Sequence, residues 1–441
     1  MQQYVSRKFI MIFMIIVMLL TLGFALAHCV AERQNASGDS AANTPVEEGS
    51  ADLAAETAQP AEETEAPKKG ADPYDAVKNY WSEDQLTQAW GPDQVVEHLF
   101  FHPIIAYPKY AFYESGASES QRLGLDDWMV TVDEYNKILQ SLYDKGFILV
   151  AMEDVWSEVT DESGTHMVRN TLMLPEGKKP LIISFDDVNY YPYMLEEGFT
   201  SKLVVGDDGE IWAECIDPYT KETFLTQDLD ATPILDKFVY AHPDFSLNGA
   251  KAIFSLTGYE GILGYRTQID SEIPAGTEEA YEANRQKEIE AVKPVIERLK
   301  ETGWTFGSHT WGHINLAASS TDLGWVQKDT EKWLNEVGSL VGPTTILFYP
   351  HGARPDGDDW HTTGPKFQYL HSKGFRVFAS VGINSFSYIK QDISAVICDR
   401  LHPDGTTLRS GACIQEYSKF YDTYEIFDPI RPDLGNTWPA H

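Results

Sequence analysis

Short aliphatic and aromatic runs alternate along this chain with longer stretches whose apolar residues recur every three or four positions, the spacing of a helix buried on one side. Glu97-His98-Leu99-Phe100-Phe101-His102 reads as a strand running into a loop. Thr131 and Glu134 form a capping box, and Tyr135, Ile138, Leu139 and Leu142 follow at helical spacing as far as Gly146. Phe147–Ala151 returns as a strand, and Leu181-Ile182-Ile183-Ser184-Phe185 has the continuous apolar character of a strand buried on both faces. The alternation then repeats. Helices are expected over Pro233–Ala241, Thr277–Thr302, Leu323–Leu340 and Pro365–Lys373, and strands over Lys251–Leu256, Trp304–Gly307, Thr344–Tyr349, Phe375–Ala379 and Ile393–Cys398. Strand and helix in regular succession predict an α/β fold with a parallel sheet, and this many units predict a closed or nearly closed (β/α) barrel. The turn residues Gly206-Asp207-Asp208-Gly209-Glu210 predict a two-stranded insertion over Lys202–Cys215.

The first seventy residues follow another pattern. Arg7 and Lys8 precede Phe9–Ala27, 19 residues without a charge, so residues 1–29 read as a signal peptide or an N-terminal membrane anchor. Residues 30–72 are rich in Ala, Glu, Thr, Ser, Gly and Pro and are expected to form a disordered acidic linker, leaving 73–441 as the barrel domain. The protein is therefore expected to be secreted or held at the outer face of a bacterial cytoplasmic membrane, touching the membrane only through its N-terminus. Charge agrees with that setting: 67 acidic against 34 basic residues give a formal net charge of −33, which repels nucleic acid. Four cysteines without a Cys-x-x-Cys pair suggest neither a disulfide framework nor a thiolate zinc site. A monomer is expected.

In barrels of this kind chemistry gathers at the carboxyl ends of the strands. That rule alone selects His102, Asp186, Asp187, His309, the Pro350-His351-Gly352 turn and Arg400-Leu401-His402. Two adjacent carboxylates after a buried strand call for a positive partner. Ser308-His309-Thr310-Trp311-Gly312-His313 supplies two imidazoles four residues apart, which one helical turn would aim at a single ion. Asp187, His309 and His313 make a nitrogen and carboxylate set suited to a catalytic divalent cation, and Asp186 is placed to act as general base.

Ser-Phe-Asp-Asp at 184–187, followed by Ser-His-Thr-Trp-Gly-His at 308–313, resembles the first two motifs of the polysaccharide deacetylases, the NodB-homology carbohydrate esterases. The resemblance runs from about Lys178 to the C-terminus. It implies a distorted (β/α) barrel that hydrolyses the N-acetyl groups of a glycan, with peptidoglycan or another N-acetylglucosamine polymer as substrate. It also implies a divalent metal, zinc first and cobalt, manganese or nickel as alternatives, on Asp187, His309 and His313, with Asp186 as base. Phe348-Tyr349-Pro350-His351-Gly352 resembles the third motif, with Phe348 where an Arg that contacts the base is usual, so Arg354 or Arg400 is left to replace it. Tyr349, His351, Arg400, Trp311 and Tyr191 are the candidate oxyanion and substrate-binding residues, with the His351 N–H as the oxyanion donor. His402, in the place of the fifth motif, is the first candidate for the acid that protonates the leaving nitrogen, and His351 the second. Tyr190, Tyr191, Tyr193 and Trp311 are expected to be exposed for stacking on sugars. Two alternatives stay open: an O-acetyl esterase on a polysaccharide, and a surface carbohydrate-binding protein whose activity has decayed.

Overall fold

The computed structural model describes residues 72–270, 272–357, 363–390 and 393–433. The leader at 1–29 and the linker from 30 to 71 lie outside these residues. Asp72, assigned to the linker from sequence, belongs to the fold: it caps the helix Pro73–Lys78 and pairs with Arg298 at 2.6 Å. No helix among the described residues is long and apolar enough to cross a membrane.

Eight strands carry the architecture: β1 Glu97–Phe101, β2 Phe147–Leu149, β3 Lys179–Asp186, β4 Ile253–Leu256, β5 Thr305–Ser308, β6 Ile346–Phe348, β7 Val377–Val381 and β8 Ala395–Arg400. Neighbours pair in parallel in the order β1-β3-β4-β5-β6-β7-β8, while β2 pairs with the start of β3. The ring closes where the last strand meets the first. Phe100 N–H donates to the Leu401 carbonyl and Leu401 N–H to the His98 carbonyl, each at 2.9 Å. This closed parallel sheet is the barrel expected from the alternation of elements.

Alternation of side chains along each strand separates two apolar layers. Leu99, Phe101, Leu181, Ile183, Phe185, Phe254 and Phe306 pack outward in one cluster with the helices α1 Val132–Asp144, α2 Ala231–Ala241 and α3 Glu278–Glu301. Ile182, Ile253, Ile346, Phe348, Val377, Ala379, Val396 and Cys398 form a separate cluster inside the barrel. On the same parity as these inner residues lie His98, Phe100, Ser184, Asp186 and Arg400, so a polar layer sits on top of an apolar plug. Gly307 is required at its position, because a Cβ there would stand 2.5 Å from the Phe348 ring.

Two further helices, α4 Leu323–Trp333 and α5 Pro365–Ser372, cover β6 and β7 on the outside. The helix expected over Leu323–Leu340 changes character at Leu334–Gly338, where the turn widens, and resumes for one turn at Ser339–Val341. The insertion after β3 has three antiparallel strands, Thr200–Val205, Ile211–Ile216 and Thr223–Thr226, one more than expected. Its third strand is short and mostly exposed, so its sequence carries little apolar alternation.

Candidate metal and catalytic site

The site lies at the top of the barrel, where β3, β5, β6 and β8 end. Asp186, still on the inner parity of β3, points into the barrel against Arg400 from β8. The guanidinium grips it with two hydrogen bonds, Nη1 to Oδ1 at 2.7 Å and Nη2 to Oδ2 at 2.9 Å, and also donates to Ser184 Oγ at 3.1 Å. Phe100 and Phe348 lie against Arg400, with ring centroids 4.1 and 4.5 Å from its central carbon. Burial alone would raise the Asp186 pKa, but Arg400 and then His309 outweigh it and hold the carboxyl well below the usual range. Asp186 is thus a carboxylate in the resting protein.

This pair bears on two expectations. Arg400 is fully buried under Asp186 and is not a substrate contact. Of the two arginines left open by the sequence, Arg400 is the one that meets Asp186, and Phe348 and Arg400 face the same inner layer from nearby strands. Arg354 is engaged elsewhere, with Asp399 at 2.6 Å.

Asp187 leaves the strand with a left-handed backbone, φ +59°. That turn sends its carboxylate away from Asp186. Oδ1 accepts from the Tyr191 hydroxyl at 2.8 Å, and Tyr191 also meets Thr257 Oγ1 at 3.0 Å. Oδ2 lies 3.5 Å from His313 Nε2. The hydroxyl fixes one carboxylate oxygen and leaves the other toward the imidazoles, which makes Tyr191 an orienting residue for Asp187 and buries its ring. Tyr190 is buried as well, with its hydroxyl on Asp230 at 2.8 Å, so neither tyrosine offers an open stacking face.

The two histidines converge without a helix between them. Thr310 and His313 both have left-handed backbones, with φ of +60° and +50°. The segment 309–313 is a loop clamped by Asp329 of α4, whose two carboxylate oxygens accept from the N–H groups of Trp311 and Gly312 at 2.7 Å each. Those backbone bonds satisfy donors that a helical turn would have left unpaired, so the loop replaces the turn. Desolvation pushes the Asp329 pKa up to about 6. Sequence reading missed this residue, for no motif marks an acid on the next helix.

Asp187, His309 and His313 are all buried, and one ligand atom from each lies within 4.8 Å of the other two. His309 donates from Nδ1 to the Phe348 carbonyl at 3.0 Å, which leaves Nε2 as the ring nitrogen turned toward the acids and available as a ligand. Burial and then the His309 and His102 rings hold the His313 pKa well below its ordinary value. Two imidazoles and one oriented carboxylate fit a divalent cation. Among the described residues, five of the nine non-glycine residues with positive φ, Asp187, Tyr190, Thr310, His313 and His351, belong to these loops. Such strain persists only where surrounding contacts impose it.

A second imidazole pair stands beside the first. His402 Nδ1 meets Asp404 Oδ2 at 2.8 Å and its Nε2 meets His102 Nδ1 at 3.1 Å, while its ring stacks on Phe100. His102 Nδ1 also reaches the Trp128 carbonyl at 3.1 Å, and its Nε2 is 4.0 Å from Asp187 Oδ2. Both ring nitrogens of His402 are therefore occupied, and His102 is the imidazole that faces the Asp187 side of the site. Burial, then the His402 ring, draw His102 down to about 4.

The third-motif turn places His351, φ +59°, with its ring 4.4 Å from the ring of His313. Burial and those neighbouring imidazoles lower it to about 3. Tyr349 does not line the site. Its ring is buried with Leu347, Phe367 and Phe378, and its N–H is taken by the Ala379 carbonyl at 2.8 Å. Trp311 is half-buried, donating from Nε1 to Glu336 at 3.0 Å with Lys332 over its ring.

No family model matches the sequence, and no curated protein is similar to it at a significant level. Among solved structures the chain is similar to the Streptococcus pyogenes deacetylase PplD in complex with acetate, at 15% identity and a TM-score of 0.36, covering 71% of this chain and 94% of that one. It is also similar to the putative polysaccharide deacetylase BA0330 from Bacillus anthracis, at 15% identity and a TM-score of 0.37 over 74% and 69% of the two chains. IcaB from Ammonifex degensii shows 12% identity and a TM-score of 0.36 over 74% and 97%.

Proposed function

We propose that the protein is an extracytoplasmic, metal-dependent hydrolase of the polysaccharide deacetylase type that removes N-acetyl groups from a glycan, with peptidoglycan or another N-acetylglucosamine polymer as its substrate. The observation that carries this reading is a buried carboxylate held by Arg400 beside a separate Asp187, His309 and His313 set able to hold one cation. A divalent ion there, zinc first, supplies electrophilic polarisation of the acetamide carbonyl and lowers the pKa of water. Asp186, kept ionised by Arg400, takes the proton from the attacking water. The backbone N–H of His351 donates to the carbonyl oxygen as charge develops on it.

The acid role passes from His402 to His102. The Asp404 carboxylate fixes His402 with its proton on Nδ1, so His402 Nε2 accepts from His102 Nδ1. The remaining nitrogen, His102 Nε2, faces the reacting side. It is unprotonated at rest; as negative charge builds in the tetrahedral adduct it takes a proton from solvent and delivers it to the departing amine, while Asp186 returns to solvent the one it took from the water. Acetate and a glucosaminyl unit result. Arg400, paired with Asp186, speaks against one ground for the decayed-protein alternative, the missing third-motif arginine, and leaves the other, an unclear fourth motif, as it was.

Acetate release from N-acetylglucosamine oligomers by the purified protein, with and without a chelator and with zinc restored, tests the reading. Zinc-dependent release that falls at least a hundredfold in Asp186→Asn supports it. Release from O-acetylated xylan but not from the oligomers would favour the esterase alternative. Undiminished release by Asp186→Asn would overturn the assigned base.

A further inference from the structure

Beside the 309–313 loop a groove of about 390 Å³ opens along α4, lined by Trp311, Asp322, Trp325, Lys328, Asp329 and Lys332. Most of its polar groups are already committed. Asp329 holds the Trp311 and Gly312 N–H groups, Asp322 Oδ1 accepts the Trp325 N–H at 2.8 Å, and Lys332 donates to the Ile269 carbonyl while covering the Trp311 ring. Two groups remain. Trp325 leaves 56% of its surface exposed, the only tryptophan among the large exposed apolar residues described. Lys328, one turn further along the helix, has no hydrogen-bond or ion-pair partner among the described residues.

An open indole face and a free ammonium three residues apart line the same concave wall. The volume falls within the range of small-ligand sites. The lining mixes both signs of charge, and its two carboxylates disfavour an anion. A polyhydroxylated neutral ring suits it better: the apolar face of a sugar stacks on indole, and hydroxyls accept from an ammonium and donate to carboxylates. Trp311 ties the groove to the site, since it forms one groove wall and sits in sequence between the two imidazole ligands.

We propose that this groove is a subsite for a pyranose unit of the glycan chain other than the one that is deacetylated, with Trp325 as the stacking platform and Lys328 as a hydroxyl donor. This subsite rests on the glycan reading of the site. It makes the enzyme prefer long chains over short ones and places that preference on α4, away from the reacting atoms.

The probes are the β-1,4-linked N-acetylglucosamine pentamer and dimer. Isothermal titration calorimetry reads pentamer binding directly, in the wild type and in variants that lack the indole, and acetate release gives the ratio of kcat/KM for pentamer to that for dimer. Trp325→Ala is expected to weaken pentamer binding about tenfold, or ~1.4 kcal/mol, and to shrink the pentamer-to-dimer ratio through KM. Trp325→Phe is expected to recover part of both, and Lys328→Ala to weaken binding by a smaller factor. Trp325 is largely exposed, so these variants should fold, which circular dichroism checks. If the wild type releases no acetate, the hydrolase reading fails while the calorimetric titration still tests the groove. Pentamer affinity unchanged in Trp325→Ala would overturn the proposal.

Discussion

Replacing Arg400 by Met keeps most of the side-chain volume between Phe100 and Phe348 but removes the charge that faces Asp186. The pair is completely dry: Arg400 shows no exposed side-chain surface and Asp186 only 3%. Deleting one partner of such a pair leaves the other charge buried alone, which destabilises by about 3–5 kcal/mol. Urea unfolding of Arg400→Met at pH 7 should show a loss of that size. The pH dependence follows from the sign of the shift. In the wild type the Asp186 pKa is depressed, so its stabilisation is present above the ordinary carboxylate value of about 3.9 and is lost as pH falls below it. In Arg400→Met the same carboxyl has its pKa raised by burial, so the deficit is largest near neutrality and shrinks as pH falls toward 4. Adding Asp186→Asn to Arg400→Met removes the orphaned charge. The double variant should recover about 2 kcal/mol or more relative to the sum of the single losses. A loss below about 1 kcal/mol in the single variant, with an additive double-variant cycle, would refute the claim that Arg400 holds Asp186 ionised.

Tyr191→Phe frees the second oxygen of Asp187, and Asp329→Asn loosens the loop between the two histidines. Each is expected to weaken zinc binding about 10- to 100-fold by calorimetry with little change in fold. His102→Gln should lower kcat about 10² to 10⁴-fold, while His402→Ala, one step removed, should lower it by a smaller factor; the reverse order would return the acid role to His402. Glu197 is buried with one oxygen on Gln121 and the other without a partner among the described residues, and burial pushes it up to about 7. A raised carboxyl weakens the fold as pH climbs from about 4.5 to 7. Glu197→Gln should therefore stabilise by about 1–3 kcal/mol at pH 8 and by nothing measurable at pH 4, as read by urea unfolding.

Local patterns carried much of this molecule in the sequence. The capping box at Thr131 and Glu134 forms as written, and the apolar run before Asp186 is the central strand β3. Asp187, His309 and His313 could be picked because each follows or closely trails a strand end. What the sequence hid depends on barrel closure. Residues 100 and 401 are bonded neighbours only because β8 returns to β1, and that return brings His402 to His102 and Arg400 to Asp186. Choosing between Arg354 and Arg400 needed the inward parity of β8, which no motif reveals. Tyr190 and Tyr191 look like surface aromatics beside a motif, and Tyr349 like a substrate contact, yet their hydroxyls or rings find buried partners. The helical turn expected between the histidines gave way to a loop because Asp329, sixteen residues after His313, supplies better partners for the backbone.

The most direct test is a calorimetric titration of the metal-stripped protein with zinc, repeated on Asp187→Ala, His309→Ala and His313→Ala. One ion per chain is expected in the wild type, with binding weakened at least a hundredfold in all three variants and retained in Asp186→Asn. Binding that survives all three substitutions, or a wild type that takes up no zinc, would contradict the convergence of these residues on a single cation.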